Sequence, residues 1–337
     1  MNLIKKIFIL IFMVSSFPPF SAIADNKTLS DSDPKNFVVG LFFDENGDTY
    51  NPLVGYGSVL RYTLSDPNLS IQYTHHDDVE NIPIAPLMQR AAVYWSRVTA
   101  PHFTVRERRE GESANFILQT MLPVMLDSSN ADLYLGNLEA YTVFPHSREY
   151  AEDVRDYGIT SAGIFFRPST LITDDVFTNW EDAMGRGRSF REYAEHNTYA
   201  LILHEMGHAL GLAHPDEIVN GPSFVTDIHP RIYRTNLYDV YWLPDSHETP
   251  IMLQHLTDFL LTLRQRLGQD LTLDNIAVSE QEINVILSQL SFDCRPHREN
   301  FDISSRSLSL TKSKYCNHST VYPLAKRIVP IITALSH

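Results

Sequence analysis

The run His204-Glu205-Met206-Gly207-His208-Ala209-Leu210-Gly211-Leu212-Ala213-His214 holds the residue types that bind and use a metal ion. Four residues make just over one helical turn, so the imidazoles of His204 and His208 fall on one face of a helix and can converge on a single ion. Gly211 stands where helices commonly end in a left-handed residue, which lets the chain turn sharply and return His214 as a third ligand. Three nitrogen ligands suit Zn²⁺ and leave its fourth tetrahedral position open to water, the arrangement of a catalytic rather than a structural ion. Glu205 lies about 100° around the helix from His204, close enough to reach that water without ligating, and is the expected general base. The chain has 14 histidines, so a lone pair at this spacing would pass as chance on an amphipathic helix. Three histidines, a glutamate and a glycine in register do not.

The surrounding residues predict the helix that must carry the clamp. Asn197 or Thr198 can cap its start, and Tyr199, Ile202, Leu203, Met206 and Leu210 recur at helical spacing on the side away from the histidines. One face is expected in the core and the other at the site.

The same run is similar, position by position, to the extended zinc-binding motif H-E-x-x-H-x-x-G-x-x-H of the metzincin metalloproteases. The resemblance implies a zinc endopeptidase of bacterial matrixin-like type, with one catalytic zinc ion and protein or peptide substrates. It implies an α+β fold: a twisted mixed sheet over an active-site helix, with a mainly helical C-terminal subdomain. It also implies a methionine turn beneath the metal, for which Thr249-Pro250-Ile251-Met252 is the candidate. Met252 would then support the histidines, whereas a core methionine in a Pro-initiated turn is the plainer reading. Leu60-Arg61-Tyr62-Thr63 resembles the first strand of a matrixin catalytic domain, and Leu273-Asp274-Asn275-Ile276 the start of its closing helix. Pro215 after the third histidine is a serralysin-like feature. Gln254 departs from the serralysin and astacin pattern, which has a tyrosine there, so no tyrosine contribution is carried over. Matrixins use a pro-segment cysteine to block the zinc, and no such cysteine exists here.

The whole chain sets wider bounds. Its 337 residues, 43% apolar, are enough for one large core or two modest ones. Lys5 and Lys6, the apolar run Ile7 to Val14 and the site Ala22-Ile23-Ala24 read as a signal peptide over residues 1–24, which predicts a secreted or periplasmic protein. Residues 25–36 read as a flexible leader or short pro-segment, 37–290 as the catalytic domain and 291–337 as a C-terminal extension. Removing residues 1–24 takes away two lysines and no acids, moving the net charge from −14 to −16. That balance argues against nucleic acid or an anionic membrane as partner; oligomeric state stays open. Cys294 and Cys316, in an exported chain, predict a disulfide in the extension, with two free thiols as the alternative.

Along the chain, Phe37 to Phe43 and Thr49 to Val54 flank Asn46-Gly47 and predict a hairpin. Asp44, Asn46 and Asp48 resemble the start of a calcium loop without its closing glutamate, leaving calcium possible but unsupported. Ser58 to Leu64, Phe103 to Val105, Asn115 to Met121, Leu135 to Pro145 and Gly163 to Phe166 read as strands. The fourth resembles the edge strand along which matrixins hold an extended peptide. Leu87, Ala91, Tyr94, Trp95 and Val98 predict a helix ending before Pro101, and Leu256 to Leu267 and Ser279 to Leu290 two more. His75-His76-Asp77-Asp78 could bind a second metal or form a solvated loop, and sequence alone assigns it to neither. Residues 167–197, with Arg186 and Arg188, read as a polar insertion, and 216–248 as a second one carrying His229 and His247 on the surface. A secreted zinc-containing binding or adhesion protein without turnover is the alternative function.

Overall fold

The computed structural model describes residues 37–41, 59–126, 138–143, 162–215, 226–229, 232–234, 238–242, 249–253 and 255–290. The signal peptide, the leader, the hairpin tip with its calcium-like residues, His247, Gln254 and both cysteines lie outside them.

The strands are β1 (Phe37–Leu41), β2 (Val59–Leu64), β3 (Ser70–His75), β4 (Asp78–Pro83), β5 (Thr104–Glu107), β6 (Phe116–Thr120), β7 (Ala140–Val143), β8 (Gly163–Phe166), β9 (Ser169–Leu171), β10 (Leu212–Ala213), β11 (Thr226–His229), β12 (Ile232–Arg234) and β13 (Tyr238–Trp242). The helices are α1 (Ile84–Thr99), α2 (Pro123–Leu126), α3 (Asp174–Met184), α4 (Phe190–Ala209), α5 (Leu256–Leu267) and α6 (Glu280–Leu290).

The strands form three sheets. One has the order β5-β2-β6-β8-β7 and is parallel except for the edge strand β7, which runs antiparallel to β8. Its interior strand β8 reads as an apolar run because both of its faces are covered: Gly163 to Phe166 is buried at every position. The second sheet, β10-β1-β13-β12-β11, is antiparallel, and the third is β4-β3-β9. A strand has two hydrogen-bonding edges, and those of β1 are taken by β10 and β13. The hairpin expected between Phe37 to Phe43 and Thr49 to Val54 is therefore not how β1 is paired.

Helix α4 runs through the centre. Ser189 caps it with a full capping box: the Ser189 side chain accepts from the Glu192 amide, and the Glu192 carboxylate accepts from the Ser189 amide. The expected caps Asn197 and Thr198 sit mid-helix instead, buried and engaged sideways. The Thr198 hydroxyl lies 2.7 Å from the Ala194 carbonyl and 3.1 Å from the Tyr73 hydroxyl. Asn197 Nδ2 donates to Glu139 at 2.9 Å. The predicted core face is buried at Tyr199, Ile202, Leu203, Met206 and Leu210, but nearly every other residue from Tyr193 onward is buried too.

Residues 167–197 are not the open polar loop that their composition suggested. They form β9, α3 and the first turns of α4, with Trp180, Ala183 and Met184 in the core. Arg186 pairs with Asp182, and Arg188 donates to the Leu271 carbonyl and sits 3.0 Å from His196. Arg188 is spent within the fold, whereas Arg186 stays on the surface. Leu273 to Asn275 forms a turn rather than a helix start, with the last helix beginning at Glu280.

Helices α5 and α6 belong to the main core. Phe259, Leu260, Leu263, Ile283, Val285 and Ile286 join the same buried cluster as Trp95, Phe116 and Met206, so they are not a separate helical subdomain. The expected helical C-terminal subdomain is corrected: residues of all three sheets and of both later helices enclose α4 together.

Candidate metal centre

Helix α4 ends as the spacing required. Its last residue is Ala209, the Gly211 amide donates to the His208 carbonyl at 3.0 Å, and Gly211 takes φ +99°. That conformation is strained for any residue with a Cβ. The chain then enters β10, whose register against β1 places Ala213 opposite Val39, and His214 follows directly.

The three imidazoles converge. His204 Nε2 lies 2.9 Å from His214 Nε2, and His208 Nε2 lies 3.0 Å from the same atom. Nitrogens at zinc-bond length in a tetrahedral site stand about 3.3 Å apart, so the separations match a shared ion to within a small adjustment. The opposite ring nitrogens fix the tautomers. His204 Nδ1 is 2.8 Å from the Ile251 carbonyl and His208 Nδ1 is 3.0 Å from the Leu212 carbonyl. A carbonyl can only accept, so both Nδ1 atoms carry the hydrogen and both Nε2 atoms present lone pairs. Burial, then the neighbouring His214, pushes His204 down to about 3 and His208 well below the ordinary range. At most one proton, on His214 Nε2, could sit among the three nitrogens, and it could serve only one of two lone pairs. A cation satisfies all three, so these residues fit zinc.

Glu205 is 5% exposed. Burial pushes its carboxyl up to about 7, opposed by a hydrogen bond from Thr142 and by the charge of His214. A base poised near neutrality is what proton transfer to and from water requires. Thr142, on the edge strand β7, places its hydroxyl 2.6 Å from Glu205 Oε2 and 3.0 Å from the Glu205 carbonyl oxygen.

Met252 lies under the helix, 1% exposed. A Cβ at Gly207 would stand 2.4 Å from its sulfur, so the helix backbone rests directly on the thioether. Beneath this turn is Glu282 of α6, fully buried, whose carboxylate accepts from the Ile251 and Met252 amides at 3.1 Å each and from the Ser279 amide and hydroxyl at 3.0 and 2.8 Å. Thr142 and Glu282 escaped the sequence reading. A Ser279/Glu282 capping-box pattern was visible, but that the carboxylate also holds a distant turn was not.

The comparisons with known proteins bear on the fold. No protein-family model matches the chain, and no curated protein matches it. Among solved structures, a chain of the GM1-bound form of the ECX AB5 holotoxin matches with a TM-score of 0.55 and 20% identity, over 76% of this chain and 89% of that one. At that identity the likeness concerns the fold alone. It overturns the fold expectation: the architecture is like that of a holotoxin chain, and the metzincin-like domain with a mainly helical C-terminal subdomain is set aside. The physical reason is that an eleven-residue motif specifies one helix end and one turn, and nothing about the sheets packed around them.

Proposed function

We propose that the chain is an exported zinc-dependent hydrolase of peptide bonds in proteins outside the cytoplasm, with His204, His208 and His214 holding the ion and Glu205 as general base. The observation that carries this reading is the convergence of three Nε2 atoms, with the tautomers of His204 and His208 fixed by backbone carbonyls, beside a buried glutamate. Zinc bound there would lower the pKa of its water and polarise the scissile carbonyl.

The chain's own residues do the rest. The Ile251 and Leu212 carbonyls orient two imidazoles and raise their basicity as ligands. Glu205 takes the water proton and delivers it to the departing amine, while Thr142 holds the carboxylate in place. The edge strand β7 carries Thr142 and, among the described residues, is paired in its sheet with β8 alone, which suits it to receive an extended peptide as an added strand.

A zinc-containing binding protein without turnover is the second reading. On its side stands the likeness to an assembly described as bound to GM1; against it stands Glu205, for which a structural ion has no use. Metal content and peptide-library cleavage, compared between the mature chain and its Glu205→Gln form, separate the two. The hydrolase reading expects one zinc at this centre in both and cleavage only with Glu205. Zinc in both with cleavage in neither would favour the binding role.

A further inference from the structure

We infer that His75, His76 and Asp174 form a second divalent-metal site, for zinc or a neighbouring first-row transition ion, on the surface of the protein. The three come from two elements far apart in sequence. His75 ends β3, His76 opens the turn into β4, and Asp174 is the first residue of α3. Both imidazoles present Nε2 to the same carboxylate oxygen: His75 Nε2 at 3.2 Å and His76 Nε2 at 2.7 Å from Asp174 Oδ1. The three ligand atoms lie within 4.8 Å of one another.

Two features distinguish this from a chance surface ion pair. The His75 ring is held in place, stacked on Phe177 at 4.3 Å with 21° between planes, and its side chain is only 12% exposed. His76 takes φ +52°, the one positive φ outside glycine among the described residues. That conformation turns its ring toward Asp174. An exposed histidine–aspartate pair contributes about 0–1 kcal/mol, little against a left-handed residue that costs about 1–2 kcal/mol. Two imidazoles and a carboxylate form a donor set that first-row transition ions bind well and Ca²⁺ or Mg²⁺ do not.

The exposed side, with His76 68% and Asp174 75% exposed, leaves positions for water, so the site is weaker than the buried centre and exchanges freely. Its occupant would tie the β3–β4 turn to the start of α3. Both pack near Phe190, the first residue of α4, through the rings of His75 and Phe177. Metal here would therefore brace the entry of the helix that carries His204 and His208.

The test is zinc stoichiometry by equilibrium dialysis of the untagged full chain, for the wild type, His76→Ala, Asp174→Asn and His208→Ala. The wild type is expected to bind two equivalents of different affinity. The weaker one should fall by more than about 10-fold, no less than the loss of an outer-shell partner causes, in His76→Ala and in Asp174→Asn. The tighter one should stay in both and be lost in His208→Ala. Circular dichroism of each variant confirms that it is folded. A wild type without the weaker equivalent, or a weaker equivalent unchanged in the two surface variants, overturns the inference. Loss of the tighter equivalent alone speaks to the buried centre and leaves this one standing.

Discussion

The Thr142 hydroxyl stands 2.6 Å from one carboxylate oxygen of Glu205 and 3.0 Å from the backbone carbonyl of the same residue. A hydroxyl has one hydrogen and can accept as well as donate. With Glu205 ionised, Thr142 donates to the carboxylate. With Glu205 protonated, the carboxyl can donate to Thr142, which turns its hydrogen to the carbonyl. Both protonation states of Glu205 are thus hydrogen-bonded, and neither leaves its buried carboxyl unpaired.

Thr142→Val, of nearly the same shape, removes this partner. Because the hydrogen bond lowers the Glu205 pKa, its loss should raise that pKa and move the acid limb of the pH–rate profile to higher pH. Turnover should fall by roughly 10-fold or more, as loss of about 1.5 kcal/mol from a charged hydrogen bond predicts. Zinc content should not change. A profile left in place with metal lost would mean that Thr142 serves structure only.

Glu282 offers a stability test. Burial pushes its carboxyl up to about 7, against the donors that surround it. The folded state therefore holds this proton more tightly than the unfolded chain, in which a glutamic acid titrates near 4.3. The contribution is fully present below the unfolded value, is lost as pH rises through the window up to about 7, and then levels off. Glu282→Gln should remove this slope, so the stability difference between wild type and variant should change with pH across that window and be flat above it. The amide also faces the Met252 N–H with a donor, which should cost about 1–3 kcal/mol. Denaturant titrations at several pH values would decide this, and a pH-independent difference would refute it.

Gly207 and Met252 should behave as a coupled pair. Gly207→Ala drives a methyl group into the Met252 sulfur and should cost about 1–3 kcal/mol through overpacking. In a Met252→Ala background that clash has no partner, so the double variant should be more stable than the sum of the two single changes implies. Additivity in a double-mutant cycle would show that the close approach is relieved elsewhere.

Ser189→Ala should cost about 1 kcal/mol of stability, since it deletes the serine half of the capping box on α4. Asn197→Ala, at the position that sequence pattern suggested as a cap, acts differently. It strips a partner from half-buried Glu139, whose carboxyl is already pushed up by desolvation. Because the lost hydrogen bond favoured the ionised carboxylate, Asn197→Ala should raise the Glu139 pKa further, so thermal unfolding across a pH series should show a cost that grows as pH rises through the Glu139 titration for the second variant and not for the first.

The parts of the site that lie within eleven residues were legible because helical periodicity and one glycine determine them. The same periodicity found α1, α5 and α6 and the buried side of α4. It failed at the start of α4, where Arg191, Glu192 and Glu195 resemble a solvated segment and where the buried polar residues Asn197 and Thr198 find partners on other elements. Thr142 and Glu282 were illegible for a related reason. Each matters through a contact made 63 or about 30 residues away in sequence, and no local pattern carries that information. The sheets were least legible of all, because the pairing of β1 with β10 joins strands more than 170 residues apart.

That last pairing governs the order in which the protein comes together. Leu212 and Ala213 are held by β1, and the Leu212 carbonyl in turn orients His208. His204 and His208 ride on a helix that can form early from local contacts, while His214 waits for two distant stretches of the chain to meet. During synthesis on the ribosome the amino-terminal strand emerges long before its partner exists, so a complete trio of imidazoles arises late. A protease that clipped the chain between β1 and β2 would loosen the strand that anchors His214, and would pull the three imidazoles apart before it unravelled the core.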